Sequence, residues 1–357
     1  MFRPIDNPWL HRFAVLTAFA TLLLICLGGV VTSKGVGMSV PDWPTTYGYN
    51  MFFFPVSKWV GGIFYEHTHR LLASAVGFLT IILALWLWVK ESRRWLRWLG
   101  ILALFAVVLQ GVLGGLRVTR MKDEIGVFHA ALAQMFFVLV SAIGIFSSRW
   151  WLNAAKAPVR GRNGLSCLYC LGAGLIFAQL LLGAIMRHQH AGLAISDFPL
   201  AHHQIWPATD ASSIAHYNQQ RLEVMAANPI TAFQVELQMV HRIMALLILA
   251  AVLSAAVITK RRLSWKAPPA KLALAWLGLI LSQVALGAAT IWTNKSADIA
   301  TAHVALGAVS LMTGTMLILV THRSLQDIPA VAPIRNRPAA ETSALPGSQS
   351  SQERVPA

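Results

Sequence analysis

Eight apolar runs, each long enough to cross a lipid bilayer as a helix, leave this chain few folds to choose from. They run from about Phe13 to Thr32, His69 to Val89, Trp98 to Leu116, Val127 to Ser147, Leu165 to Met186, Met239 to Ile258, Leu272 to Ile291 and Ala302 to Thr321. A spanning helix needs about 20 predominantly apolar residues, because backbone groups in hydrocarbon must find their hydrogen bonds within the segment. With 56% hydrophobic and only 12% charged residues, an ordinary soluble domain is excluded. The expectation is an all-α integral membrane protein.

The formal net charge of +15 would suit nucleic acid, but the placement of the basic residues argues for topology instead. Most of the 29 lysines and arginines fall in the N-terminus, in the loops after the second, fourth and sixth spans, and in the C-terminal tail. Clusters such as Arg93-Arg94 and Lys260-Arg261-Arg262 lie there. The positive-inside rule then puts both termini in the cytoplasm and the long loops 33–65 and 187–238 outside. The first apolar run reads as an uncleaved span, without a clear small-residue cleavage site after it. The tail, rich in Pro, Ala, Ser and Gln, reads as disordered.

The two halves of the chain repeat. Gly37-Met38-Ser39-Val40-Pro41-Asp42-Trp43-Pro44 aligns with Gly192-Leu193-Ala194-Ile195-Ser196-Asp197-Phe198-Pro199, and Leu27-Gly28 aligns with Leu182-Gly183 at the same offset. Beyond a longer outer loop in the second half, His69 aligns with His241, Gln110 with Gln283 and His129 with His303. Four spans per repeat give both halves the same orientation. The expected architecture is therefore two tandem four-helix bundles related by a pseudo-two-fold axis along the membrane normal. The expected boundaries are a cytoplasmic N-terminus (1–11), a first bundle (12–150), a cytoplasmic linker (151–164), a second bundle (165–322) and a disordered cytoplasmic tail (323–357).

That topology places His69, His129, His241 and His303 each at the start of the second or fourth span of its half, near the outer face. Ionisable groups there are costly beside lipid and take partners inside the bundle. Two imidazoles facing each other across a bundle core suit a flat macrocycle with iron at its centre, one ligand on each face. Arg70 and Arg242, next to their histidines, are then expected to pair with propionates. Zinc or copper would call for closer Cys/His spacings than these. His67 reads as a neighbour of the site or a rim residue, and His188, His190, His202, His203 and His216 as solvated loop residues. Cys26, Cys167 and Cys170 read as packing residues, since the last two fall at the cytoplasmic end of the fifth span.

The repeat breaks at one informative place. Glu66 lies one turn before His69, whereas Gln238 precedes His241. A carboxylate can take a proton or stabilise a developing cation, and an amide can do neither, so the first half is the candidate for chemistry, with Glu66 as its catalytic residue. The bland alternative is that Glu66 pairs with Arg70 or bonds a histidine.

The stretch from Gly37 to Gly48, the Glu66 to Arg70 motif, Val127-Phe128-His129-Ala130 and Met239-Val240-His241-Arg242 resemble the haem A synthases, over residues 10 to 322. The resemblance implies an eight-helix oxidoreductase of the bacterial inner (plasma) membrane, acting in cytochrome oxidase assembly. It would oxidise a ring methyl of haem O, through a hydroxymethyl intermediate, to the formyl group of haem A. His69 and His129 would hold the substrate haem O, with Glu66 catalytic, while His241 and His303 would ligate a resident haem b. Implied partners are the lipid bilayer, a haem O synthase, oxidase assembly factors and an electron acceptor the sequence does not identify, with homo-oligomer formation left open. Some members carry a cysteine pair in the first outer loop, and this chain has none there. The alternatives are a bis-histidine dihaem cytochrome b that only passes electrons, and a parallel-repeat transporter, against which stands the clustering of polar groups at the outer face.

Overall fold

The computed structural model describes residues 7–220 and 229–327. Among them, eight helices are long and apolar enough to cross a membrane: α1 (Pro8–Ser33), α2 (Gly61–Lys90), α3 (Arg94–Arg120), α4 (Asp123–Phe146), α6 (Arg162–His188), α8 (Ala232–Arg262), α9 (Pro268–Trp292) and α10 (Ala297–Ser324). Two short helices complete the set among the described residues, α5 (Arg149–Asn153) between α4 and α6, and α7 (Ala211–Gln219) in the loop between α6 and α8. The protein is a multi-pass membrane protein.

The surface is inside-out relative to a soluble bundle, as lipid contact requires. Phe78, Leu85, Phe105 and Leu246 are all more than half exposed, while the buried positions of α2 recur every three or four residues from Val76 to Leu87. Contacts run around each half of the chain: α1 on α2, α2 on α3, α3 on α4 and α4 on α1, then α6 on α8, α8 on α9, α9 on α10 and α10 on α6. The halves meet where α1 packs on α10 and where α4 packs on both α6 and α10. Ile25, Phe137 and Ala308 fill that seam.

The helices are longer than the charge-free runs. At ~1.5 Å per residue, the 30 residues of α2 exceed the ~30 Å hydrocarbon thickness, so its first turns carry polar groups outside. Hydropathy marks where charge stops, whereas the backbone ladder continues through Glu66-His67-Thr68-His69-Arg70. The histidines expected at helix starts therefore lie two to three turns inside, roughly 9–14 Å from the first helical residue.

The inner side also departs from expectation. The linker carries α5 and strand β1 (Ala157–Val159), which pairs in parallel with β2 (Leu325–Asp327). The tail expected to be disordered from residue 323 thus continues as helix to Ser324 and as strand to Asp327. The Arg323 guanidinium donates to the Trp151, Leu152 and Ala154 carbonyls at the end of α5, and Asp327 Oδ1 accepts from the Gly161 and Arg162 N–H groups at the start of α6. Residues 328–357 lie outside the described residues.

Both outer loops turn on an aspartate. Asp42 accepts from the Thr45 hydroxyl and from the N–H groups of Tyr47 and Gly48; Asp197 accepts from the N–H groups of His202 and His203. Tyr47, Gly48, His202 and His203 all have positive φ, a backbone that the aspartate bonds hold in place. Burial pushes the Asp42 carboxyl up, but the bonds from Gly48, Thr45 and Tyr47 together hold it below the ordinary carboxylate range. A depressed carboxyl stabilises the folded loop above its unfolded value and loses that contribution as pH falls through the lower folded value. The protection factors of the Tyr47 and Gly48 amides should thus be flat from neutrality to about pH 4 and fall below it. In Asp42→Asn protein that acid step should vanish; an unchanged step would assign it to other groups.

Candidate haem-ligand site

Each half brings its two helix histidines together. His69 on α2 and His129 on α4 are close enough for their charges to interact, and so are His241 on α8 and His303 on α10. These helices sit diagonally in the contact order of their halves, so the rings meet across the helical interior. All four share one environment. Nδ1 is buried without a hydrogen-bond partner, and the Cε1 edge rests against a glycine of the adjacent helix. A Cβ at Gly28 would lie 3.1 Å from His69 Cε1, at Gly114 3.3 Å from His129, at Gly183 3.5 Å from His241 and at Gly287 3.4 Å from His303. A larger residue at any of these positions would push the ring off its seat. Glutamines fix the backbone behind three of the rings: Nε2 of Gln110, Gln179 and Gln283 donates to the carbonyl of His129, His241 and His303 at 3.0, 2.9 and 2.9 Å. Leu24 aligns with Gln179, so the His69 side lacks this support.

The four Nε2 atoms make no hydrogen bond, yet they are absent from the buried, unpartnered atoms that include all four Nδ1. Each ring thus presents Nε2 to open space while its other face is packed. Paired imidazoles with free Nε2 atoms among apolar helices have the donor chemistry of bis-histidine haem ligation.

The motif residues beside the histidines do something different from what their sequence suggests. The Glu66 side chain is buried; its Oε2 accepts from the Val40 N–H at 2.9 Å and its Oε1 from Arg70 Nη2 at 2.8 Å. Arg70 donates its remaining Nη hydrogens to the Val40, Asp42 and Thr45 carbonyls at 2.7, 2.6 and 3.1 Å. Its four Nη–H bonds thus go to Glu66 and the loop between α1 and α2. In the second half, Gln238 bonds both the N–H and the carbonyl of Ile195, at 2.8 and 3.1 Å. Arg242 donates to the Asp197 and Leu200 carbonyls. Val40 and Ile195 are equivalent in the repeat, so Glu66 and Gln238 hold their loops in the same way.

Three further histidines also move. His67 is no rim residue: it is fully buried between the rings of Phe54 and Trp59, with Thr46 Oγ1 3.3 Å from Nδ1. His188, expected in a solvated loop, closes α6, packs against Gly126 of α4 and pairs with Asp123 at 3.5 Å. His202 stacks on Tyr217 with ring centroids 3.6 Å apart and has Nε2 3.0 Å from the Ala194 carbonyl. Burial lowers its basicity, against the opposing bond to that carbonyl. His190, His203 and His216 are exposed, as expected. Two cations that carry no motif lie at the site, Arg117 at the end of α3 and Arg187 near the end of α6, each interacting with site histidines. No pattern flagged them, because neither recurs in the other half.

The chain is similar to several known proteins. A relative from Halalkalibacterium halodurans named heme A synthase is 24% identical over 88% of this chain and 99% of its own length. The heme A synthase of Geobacillus kaustophilus is 26% identical over 82% of this chain and 86% of that protein. That of Shouchella clausii is 28% identical over 56% of this chain, and the aligned part spans 65% of that relative's length. The family model described as cytochrome oxidase assembly protein matches residues 11–315, nearly the whole described structure, and the chain belongs to that family.

Proposed function

We propose that this protein is a haem A synthase, an oxidoreductase that converts haem O to haem A for cytochrome oxidase assembly. The observation that carries the reading is the pair of facing histidine sites, His69 with His129 and His241 with His303, each with Nε2 open and Cε1 against a glycine. His69 and His129 hold the substrate haem O, and His241 and His303 hold a resident haem b, which supplies one-electron redox chemistry when bound. The two halves form tandem bundles in a bacterial inner membrane with both termini cytoplasmic.

Turning a methyl into a formyl group requires one oxygen atom; with water as its source, four electrons and four protons pass to an acceptor. Glu66 lies on the face of α2 that carries His69. Each carboxylate oxygen has one partner and a further lone pair, so Glu66 can orient a water or accept its proton without leaving the Val40 N–H. The clamp of Arg70 on three loop carbonyls holds the first outer loop over that end of the bundle and limits bulk water.

One observation favours a second reading. Glu66 and Gln238 anchor equivalent backbone positions, so Glu66 can be purely structural, as in a dihaem cytochrome b that only passes electrons. Haems extracted from membranes that make haem O but no haem A, with and without this protein, separate the two by chromatography. Haem A or its hydroxymethyl precursor is expected. Unchanged haem O beside folded, haem-loaded protein would overturn the synthase reading.

A further inference from the structure

The histidine pairs leave two guanidiniums without an explanation. Arg187 is partly buried, and its Nη2 donates to the Gly29 carbonyl and to Ser33 Oγ, both at 2.9 Å. It therefore reaches from α6 across the seam to α1 of the other half and finds only neutral acceptors. Arg117 is also partly buried, at the outer end of α3. Its Nη1 lies beside Gly37, where a Cβ would stand 3.2 Å away, and it makes no hydrogen bond or ion pair with any described residue. The two cations are close enough for their charges to act on each other. Arg117 also acts on His69 and His129, and Arg187 on His303.

Like charges drawn together and partly removed from water are unfavourable unless an anion joins them. Of the carboxylates at this end, Glu66 pairs with Arg70 and Asp123 with His188, and Glu124 and Asp298 are exposed at the first turns of α4 and α10. Arg70 and Arg242, the cations that the motifs offer, are engaged by loop carbonyls. Arg117 aligns with Thr290 and Arg187 with Thr32, so each half contributes one guanidinium, from different helices, to one junction.

We propose that Arg117 and Arg187 bind the carboxylates of the macrocycles held by the two histidine pairs, Arg117 serving the His69–His129 site and Arg187 the His303 side. The two guanidiniums that would bind those carboxylates lie at the seam between the halves. This rests on the haem reading and adds to it the residues that read the ligand's charge.

The test uses full-length protein purified from haem-deficient cells into lipid nanodiscs, titrated with ferric protohaem and with its dimethyl ester while the Soret band is followed. Wild type should bind protohaem at least about tenfold more tightly than the uncharged ester, the scale of a charge-assisted bond in a partly dry site. Arg117→Gln breaks no hydrogen bond or ion pair among the described residues and should narrow that preference to about threefold or less, with the bis-imidazole spectrum intact. Arg187→Gln should do the same, and Arg187→Lys should retain the preference; if Arg187→Gln does not fold, Arg117→Gln decides alone. A preference unchanged in Arg117→Gln protein overturns the assignment. A wild-type protein that gives no bis-imidazole spectrum with either compound would instead overturn the haem reading beneath it.

Discussion

Glu66→Gln protein is expected to fold, to retain its haem and to form haem A at least about a hundredfold more slowly, the scale of a lost general base or charge. The repeat supplies the control. Gln238 already shows that an amide at this helix position can hold the outer loop through the backbone of Ile195. A glutamine at 66 keeps one acceptor for the Val40 N–H and gains an NH2 donor, as Gln238 has toward Ile195, so the bond to the loop backbone survives while the Arg70 ion pair and the negative charge go. Thermal melting and haem content of the purified variant check the first half of the expectation, and product chromatography checks the second. A variant that is stable and fully active would show that the carboxylate serves only to pair with Arg70, leaving the chemistry to other groups. A conservative Glu66→Asp change shortens the reach by one methylene and is expected to fall between the two.

His241→Ala and His69→Ala are expected to fail differently, and by the full occupancy of one site each. In protein from cells without haem O, His241→Ala should lose the b-type spectrum, while His69→Ala should keep it. With haem O present, His69→Ala should lose the extractable haem O and all product. The reason is geometric: each histidine has its own glycine seat on its own neighbouring helix, Gly183 for His241 and Gly28 for His69, and the pairs belong to separate halves. Absorption spectroscopy with haem extraction decides it. If one substitution empties both sites, the halves do not bind independently.

How these histidines came to be legible follows from membrane physics. Lipid tolerates few ionisable groups, so every histidine retained inside a span carries information, and the two-fold repeat sorted the four that matter from the rest. For Arg70 and Arg242, adjacency in sequence does not say where a long side chain goes. Their guanidiniums reach back over the helix end to loop carbonyls, 25 to 30 residues away for Arg70 and 42 to 45 for Arg242. His188 was misread as a loop residue because α6 runs on past its apolar stretch, where no hydropathy signal marks the backbone.

The sequence by itself determined the class of the protein and its eight helices, and it singled out the repeat and four candidate histidines, because length, apolarity and periodicity act locally along the chain. Only the tertiary structure decided which polar groups are spent and which remain available. Arg70 is saturated by its own loop, while Arg117 and Arg187, from different halves, meet at the seam without a protein anion between them. Hydrogen-bond capacity is finite and is allotted by distance in space, and that allotment cannot be computed from spacing along the chain.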